Sequence, residues 1–440
     1  MSTEDKLPSE YTYLKARYLR SRAWLVIFGA FTSLFCTVGF LNSFGIFEEY
    51  YATVQLAHKS SSTIAWIGAI SIFFLFAISV ASGAMLDIFG PGKSRGCQIM
   101  LYIGAIGTVF AVMMTSLCKE FYQFLLAQGI LLGISMALVT WPMLALVGQY
   151  IKRKRAAAMG IVIAGSSLGG VVWPIAIDKL LHNPRIGFPW TMRIVGFIML
   201  PCLLLSCISA RPPAKPESNC MEQGTGLGSV EPKTEEKGPK PDHKAEALKL
   251  FKQRPLQLLC LAMFITYFGM FSPFFYTTSY AVHRGFSQSL SFYTVSIMNG
   301  ASFFGRILPG ILADKYGKFN CCIVASLSSG IVALCWTQVS SVAGLVIWSA
   351  AYGFSSGAIL SLQQACAAQI ATPDTIGLAI GSVVGSTALS AMAGVPISGA
   401  LAGKYSYLSL SLYSGVSLIL GGVLLIASRL AQNRRLRAII

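Results

Sequence analysis

Twelve apolar runs leave this chain few ways to fold. They lie at 24–46, 62–86, 97–118, 122–148, 156–178, 190–210, 256–282, 292–313, 320–339, 342–364, 376–402 and 407–428. A hydrocarbon layer ~30 Å thick is crossed by about 20 helical residues, so each run is long enough to span one. In lipid the backbone must satisfy its own polar groups, which restricts spanning structures to helices and closed barrels. None of the runs alternates in the two-residue manner of a barrel strand. The pattern predicts an all-α membrane protein with twelve transmembrane helices. Composition agrees: 54% of residues are hydrophobic and 12% charged, against about 25% charged in a soluble domain.

Between the sixth and seventh runs lies RPPAKPESNCMEQGTGLGSVEPKTEEKGPKPDHK, too polar and too rich in Pro, Gly and charge to bury a core. The expected organisation is a tail over 1–23, a six-helix bundle over 24–210, a linker over 211–255, a second bundle over 256–428 and a tail over 429–440. The end of the linker, AEALKLFKQR, reads as a short amphipathic helix on the membrane surface. Residues 1–23 are polar and basic, and the run after them is too long for a signal-peptide core.

The net charge of +17 could suggest nucleic acid, but the basic residues form no continuous patch. With the N-terminus inside, the inner segments carry 26 Lys and Arg and the outer loops six. That asymmetry places both termini in the cytoplasm, with the plasma membrane as the expected site. Two basic residues remain within spans, Arg193 and Arg306. The eleven cysteines mostly sit in apolar runs at no metal-ligand spacing, and the four histidines all lie in loops. No metal, cofactor or nucleic-acid partner is expected. The expected partners are a small-molecule substrate and membrane lipid, with the chain acting as a monomer.

The chain also repeats itself. Gly83–Arg95 reads GAMLDIFGPGKSR and Gly305–Asn320 reads GRILPGILADKYGKFN, so Gly83, Asp87 and Gly90 recur as Gly310, Asp314 and Gly317. Gly160, Gly165 and Gly169 of the fifth span are echoed by Gly377, Gly381 and Gly385 of the eleventh. Small residues at four-residue spacing let helices pack closely in lipid. Two related six-helix, pseudo-symmetric bundles around a midplane site suit alternating access.

The repeated loop resembles the 2–3 and 8–9 loop signature of the major facilitator superfamily, the second copy more closely, because Ile88 stands where a basic residue is common. Gln149–Pro174, QYIKRKRAAAMGIVIAGSSLGGVVWP, is similar to the fifth-helix motif of the monocarboxylate-porter family. Gly39–Tyr51, Trp190–Gly196 and Asn299–Asn320 look like its fungal members. The resemblance implies the twelve-helix facilitator fold and a loop that acts as a conformational latch. Under it, Gly83, Asp87, Gly90, Arg95, Gly310, Asp314, Lys315 and Gly317 are gating candidates. Proton-coupled lactate carriers of this family hold a Lys late in the first span and an Asp one turn before the eighth-span Arg. Here those positions fall near Ile46 and at Ser302, which argues for a substrate other than lactate. The drug–proton antiporter motif is not matched either, since Pro174 follows Gly169 by five residues.

Arg306 is the leading substrate-binding candidate. An Arg facing lipid costs at least ~2.5 kcal/mol, so it should face the bundle interior, where its planar guanidinium can hold a carboxylate. The alternative is a structural Arg bonded to carbonyls or snorkelled to the interface. Asn42, Ser43, Tyr276, Asn299, Ser302 and Gln363 are further cavity candidates; interhelical hydrogen bonds or an interfacial aromatic belt would explain the same residues.

A membrane-embedded enzyme would need converging His, Asp, Glu or Cys clusters, and none is visible. No Walker motif is present for ATP drive. The expectation is a secondary transporter that moves a small, carboxylate-bearing organic metabolite. Export of a fungal secondary metabolite and uptake of a monocarboxylate or vitamin-like nutrient are the two versions. A transport-dead nutrient sensor is a remote third.

Overall fold

The computed structural model describes residues 10–89, 94–210 and 243–433, and every regular element within them is helical. Eleven helices are long and apolar enough to cross a membrane: Ser21–Gln55, Thr63–Phe89, Gly96–Thr115, Phe121–Tyr150, Arg155–Leu181, Gly187–Ser209, Arg254–His283, Tyr293–Tyr316, Val342–Ile370, Ile376–Lys404 and Tyr407–Gln432. Lys318–Leu334, 17 residues long, lies between the eighth and ninth of these and completes the set of twelve. At 1.5 Å per residue it spans about 25 Å, and a single 3₁₀ turn at Trp336–Gln338 extends it. These helices are called spans 1 to 12 below. Helix also begins earlier than the first apolar run, at Glu10. The expected amphipathic helix occupies His243–Phe251 and seats Leu250 in the core; the linker before it lies outside the described residues.

Spans 1 to 6 form one bundle and spans 7 to 12 the other. Two seams join them, span 2 against span 11 and span 5 against span 8. Glycine makes both close. A β-carbon on Gly83 would strike the Gly377 carbonyl, and one on Gly310 would fall 2.8 Å from the Ala156 carbonyl. The repeated Gly of the two loops therefore plays one role twice. The glycine echo between spans 5 and 11 is less regular: Gly377, Gly381 and Gly385 all face span 2, whereas Gly165 and Gly169 face span 1 of their own half.

Several spans are interrupted where they approach the centre. Span 1 breaks at Thr37 and again at Asn42–Ser43; span 7 breaks at Phe271, two residues before Pro273. Proline lacks the N–H that would continue the helix ladder, which accounts for the second break. Beyond these breaks each half carries an aromatic core at the end away from the termini. In one, Tyr51 packs against Phe47, Phe124 and Phe188 and donates to Gln128 Oε1 at 2.7 Å. In the other, Trp336, Trp348 and Tyr352 stack in series. The outer surface shows Trp24, Phe28, Ile103, Phe110, Ile331 and Ile347, each more than half exposed. Such a continuous apolar exterior belongs in lipid, and the protein is an integral, multi-pass membrane protein.

The packing generates a paired expectation. Gly39 and Gly169 meet so closely that a β-carbon on Gly39 would sit 2.7 Å from the Gly169 Cα, whereas nothing lies within 4 Å of a β-carbon on Gly300. Gly169→Val should cost ~1–3 kcal/mol through overpacking. Gly300→Ala should be neutral or stabilising by up to ~1 kcal/mol. Thermal denaturation of the two variants in the same lipid or detergent checks both.

Candidate functional site

The candidate side chains fall into two groups, one at the ends of the inter-bundle seams and one near their middle. At the ends, the two repeated aspartates make equivalent contacts. Asp87 closes span 2, and its carboxylate accepts from the backbone N–H of Gly377 at 2.9 Å and of Leu378 at 2.6 Å, the first turn of span 11. Asp314, in the last turn of span 8, accepts from Ala156 at 3.1 Å and Ala157 at 3.0 Å, the first turn of span 5. The first N–H groups of a helix have no intrahelical partner, and the helix dipole favours a negative charge there. Each carboxylate thus caps a helix of the opposite bundle. Among the described residues no Lys or Arg stands within ion-pair distance of either aspartate.

The neighbouring motif residues complete the geometry. Gly83 and Gly310 permit the backbone approach that brings each carboxylate within reach. Gly317 takes φ +98°, a conformation that side chains rarely adopt, and turns span 8 into span 9. Lys315 is exposed and lies over the ring of Tyr316 at 5.2 Å. Gly90 and the side chain of Arg95 lie outside the described residues. A residue that sequence reasoning counted only as loop charge joins this group: Arg155 donates through Nη1 to the Ala368 carbonyl at 2.5 Å, in the last turn of span 10. A cation at a helix C-terminus complements the dipole as the aspartates do at N-termini. Its basic loop made Arg155 look like one of several equivalent topology charges.

Near mid-membrane, Arg306 is 3% exposed. Its Nη1 donates to the Ile163 carbonyl at 2.7 Å and to the Ser166 hydroxyl, both on span 5, while Nε has no partner. Gly160 sits directly against the Arg306 carbonyl, so span 5 is closely fitted to this turn of span 8. Asn42 and Asn299 converge one turn further along span 5. A β-carbon on Gly170 would lie 2.9 Å from both Asn42 Nδ2 and Asn299 Oδ1. Asn42 occupies the break in span 1 with its side chain exposed; Asn299 donates to the Val295 carbonyl of its own helix at 3.1 Å.

The remaining candidates divide. Gln363 donates through Nε2 to the Tyr267 hydroxyl at 2.6 Å, joining span 10 to span 7. Ser302 packs against Gly357 of span 10, and Ser43 is buried beside the break in span 1; neither hydroxyl has a partner. Tyr276 stands apart and donates to the Val395 carbonyl at 3.0 Å, tying span 7 to span 11. Arg193, the other basic residue in a span, lies 5.1 Å above the ring of Trp190. Tyr267 and Phe76 were missed in the sequence, because an aromatic within an apolar run carries no signal of which neighbour it will meet.

Two six-helix bundles of repeated design, joined along two seams and carrying their polar side chains at the boundary, are the architecture of a secondary transporter. The chain belongs to the Major Facilitator Superfamily, whose family model matches residues 23–354 and 310–438. It is 45% identical over 414 residues to an MFS-type transporter of Aspergillus fumigatus, covering 94% of this chain and 93% of that one. It is 42% identical over 409 residues to the agnestins efflux protein AgnL12 of Paecilomyces divaricatus, covering 93% and 88%. Among solved structures, the human organic anion transporter MFSD10 superposes with a TM-score of 0.67 over 92% of this chain and 99% of that one, at 17% identity, a likeness of fold.

Capping by Asp87 and Asp314 should be visible in backbone exchange. Charge-assisted hydrogen bonds contribute ~1.5–3 kcal/mol, so Asp314→Ala should speed amide exchange at Ala156 and Ala157 by about tenfold or more. Asp87→Ala should do the same at Gly377 and Leu378. Exchange in the last turn of span 12 should be unchanged in both variants.

Proposed function

We propose that this carrier exports a small, carboxylate-bearing organic metabolite from the cytoplasm by alternating access, and that the cargo is a fungal secondary metabolite. The observation that carries the reading is the 42% identity, over 93% of the chain, to a protein named for agnestin efflux. Arg306 supplies the expected charge of the cargo. It is a buried cation whose Nη1 is spent on a carbonyl and a hydroxyl and whose Nε is unspent. No carboxylate among the described residues neutralises it, and an anion arriving here would meet the unspent Nε and compete for Nη1, the two donors of a bidentate contact. Asn42, Ser43, Asn299, Ser302 and Gln363 shape the cavity around it in this reading, and Tyr276 lies further along the path on span 7.

The face that carries the chain termini is cytoplasmic in this proposal, and the membrane is the plasma membrane. The branch is the monocarboxylate-porter-like one, and the chain works as a monomer. Gly83, Asp87, Gly90, Arg95, Gly310, Asp314, Lys315 and Gly317 form the latch. With both aspartates on their helix ends the cytoplasmic face is shut. Cargo enters from that side when the caps release and the seams part. Its carboxylate then takes over the Arg306 donors from Ile163 and Ser166, which loosens span 8 from span 5 at mid-membrane. Reclosure of the caps returns the carrier to the state described above. The same cycle run in reverse gives uptake of a monocarboxylate or vitamin-like nutrient, a reading supported by the motif at Gln149–Pro174.

Comparing the intracellular and secreted metabolites of cells with and without the gene separates the two directions. Export predicts a carboxylic acid that accumulates inside when the gene is deleted and is depleted outside. A medium acid that ceases to be consumed would instead establish uptake. In reconstituted vesicles, Arg306→Ala and Arg306→Lys should each lower transport of that acid at least tenfold, since Lys keeps the charge but not the fork. Transport at the wild-type rate by either variant would remove Arg306 as the anchor.

A further inference from the structure

The buried polar atoms left unspent around Arg306 describe the ligand more narrowly. Gln363 gives its N–H to Tyr267, and its Oε1 has no partner; Arg306 Nε has none either. Both side chains are at most 3% exposed. Ser302, one turn before Arg306, touches Gly357, less than two turns before Gln363, so the unspent donor and the unspent acceptor lie on neighbouring turns of two packed helices, spans 8 and 10. An unsatisfied buried polar group is costly, so a ligand that accepts from Arg306 and donates to Gln363 relieves both at once. A carboxylate alone relieves only the first.

The surface that Gln363 reaches through Tyr267 is aromatic and crosses the boundary of the two bundles. Tyr267 meets Phe76 edge-on at 5.9 Å, and Phe76 meets Trp141 at 5.9 Å, with Phe271 packed on Tyr267 at 5.5 Å. The indole N–H of Trp141 is spent on the Leu75 carbonyl at 2.7 Å, which leaves its ring as the chemistry it can offer. Phe76 and Trp141 come from spans 2 and 4, and Tyr267 and Phe271 from span 7. Rings held edge to face favour the insertion or stacking of another flat ring over an aliphatic one. Separation of the bundles opens the Phe76–Tyr267 contact, because it is the one aromatic contact in this series that joins them.

We infer that Arg306, Gln363 and the ring series Trp141–Phe76–Tyr267 form a subsite for a planar aromatic acid bearing a phenolic or enolic O–H away from the carboxylate. The inference rests on the proposed reading of Arg306 as the anion anchor. The carboxylate accepts from Arg306, the O–H donates to Gln363 Oε1, and the ring lies on Phe76 and Tyr267. The plain alternative is that Gln363 and Tyr267 make an ordinary interhelical hydrogen bond. Such a bond explains the spent Nε2 and leaves the orphaned Oε1 and the orphaned guanidinium N–H unexplained.

The test uses the full-length protein in lipid nanodiscs and competition against radiolabelled 2-naphthoate. The competitors are 4-hydroxy-2-naphthoate, 6-hydroxy-2-naphthoate, decahydro-2-naphthoate and 2-naphthamide. At least one hydroxynaphthoate should bind about tenfold more tightly than 2-naphthoate. The saturated acid should bind at least tenfold more weakly, and the neutral amide should not compete. Gln363→Leu should erase the hydroxyl advantage, so that the hydroxynaphthoates and 2-naphthoate bind this variant equally. Phe76→Leu should narrow the preference for the aromatic over the saturated acid. Unchanged helical content and elution establish that both variants fold. Equal binding of the aromatic and saturated acids overturns the inference, as does a hydroxyl preference that survives Gln363→Leu. Failure of every naphthoate to bind wild type overturns it too. If a metabolite nevertheless accumulates in cells lacking the gene, export stands and the aromatic-acid class falls.

Discussion

A charge near lipid must be answered, and this chain answers its seam charges with helix ends. Asp87 and Asp314 each take two backbone N–H groups from the opposite bundle, and Arg155 gives an N–H to the closing turn of span 10. A helix end holds a partial charge fixed in the backbone, so the contact orders no long flexible side chain. Its weakness as a pair is an advantage in a carrier. A buried ion pair separates at a high desolvation cost, whereas a helix terminus released from a carboxylate can be taken up by water. The two bundles can therefore hold together and still part.

Everything central follows from how near the seams allow the bundles to come. Glycine at 83, 377, 310 and 160 lets backbone touch backbone across the boundary. That approach places Asp87 and Asp314 on their caps and sets Arg306 within reach of the Ile163 carbonyl and the Ser166 hydroxyl. The end contacts and the mid-membrane contact share span 5 and span 8, so a ligand that competes for Arg306 acts on the same seam that Asp314 closes. In the proposed cycle this shared helix pair links cargo binding to opening. No signal has to travel further than the two or so turns of span 8 between Arg306 and Asp314.

Much of this was legible in the sequence, for reasons that are physical. Lipid enforces long apolar helices, so the twelve spans could be counted; even the short ninth shows only as an earlier end, at Leu334. The repeated Gly-x-x-x-Asp motif marked the seams because close approach needs glycine and a capping carboxylate needs a fixed offset from it. The identity of the partner was not legible. Asp87, Asp314 and Arg155 are met by peptide groups, and peptide groups leave no trace in composition. Arg155 was hidden among four consecutive basic residues for the same reason. Arg306 stood out because a lone cation in an apolar run has few harmless explanations. The meeting of Gln363 with Tyr267, and of Phe76 with Trp141, depended on helix rotation, which uniformly apolar spans do not encode.

The central claim is that two capped aspartates hold one face of the carrier shut. It is tested most directly by the distance between spin labels on Arg153 and Lys315, exposed residues on either side of the span 5–span 8 seam. The wild-type protein in nanodiscs should give a dominant short distance. The Asp87→Ala, Asp314→Ala double variant should shift a substantial part of the population to a longer one, with helical content unchanged. An identical distance distribution in the two proteins would contradict the account.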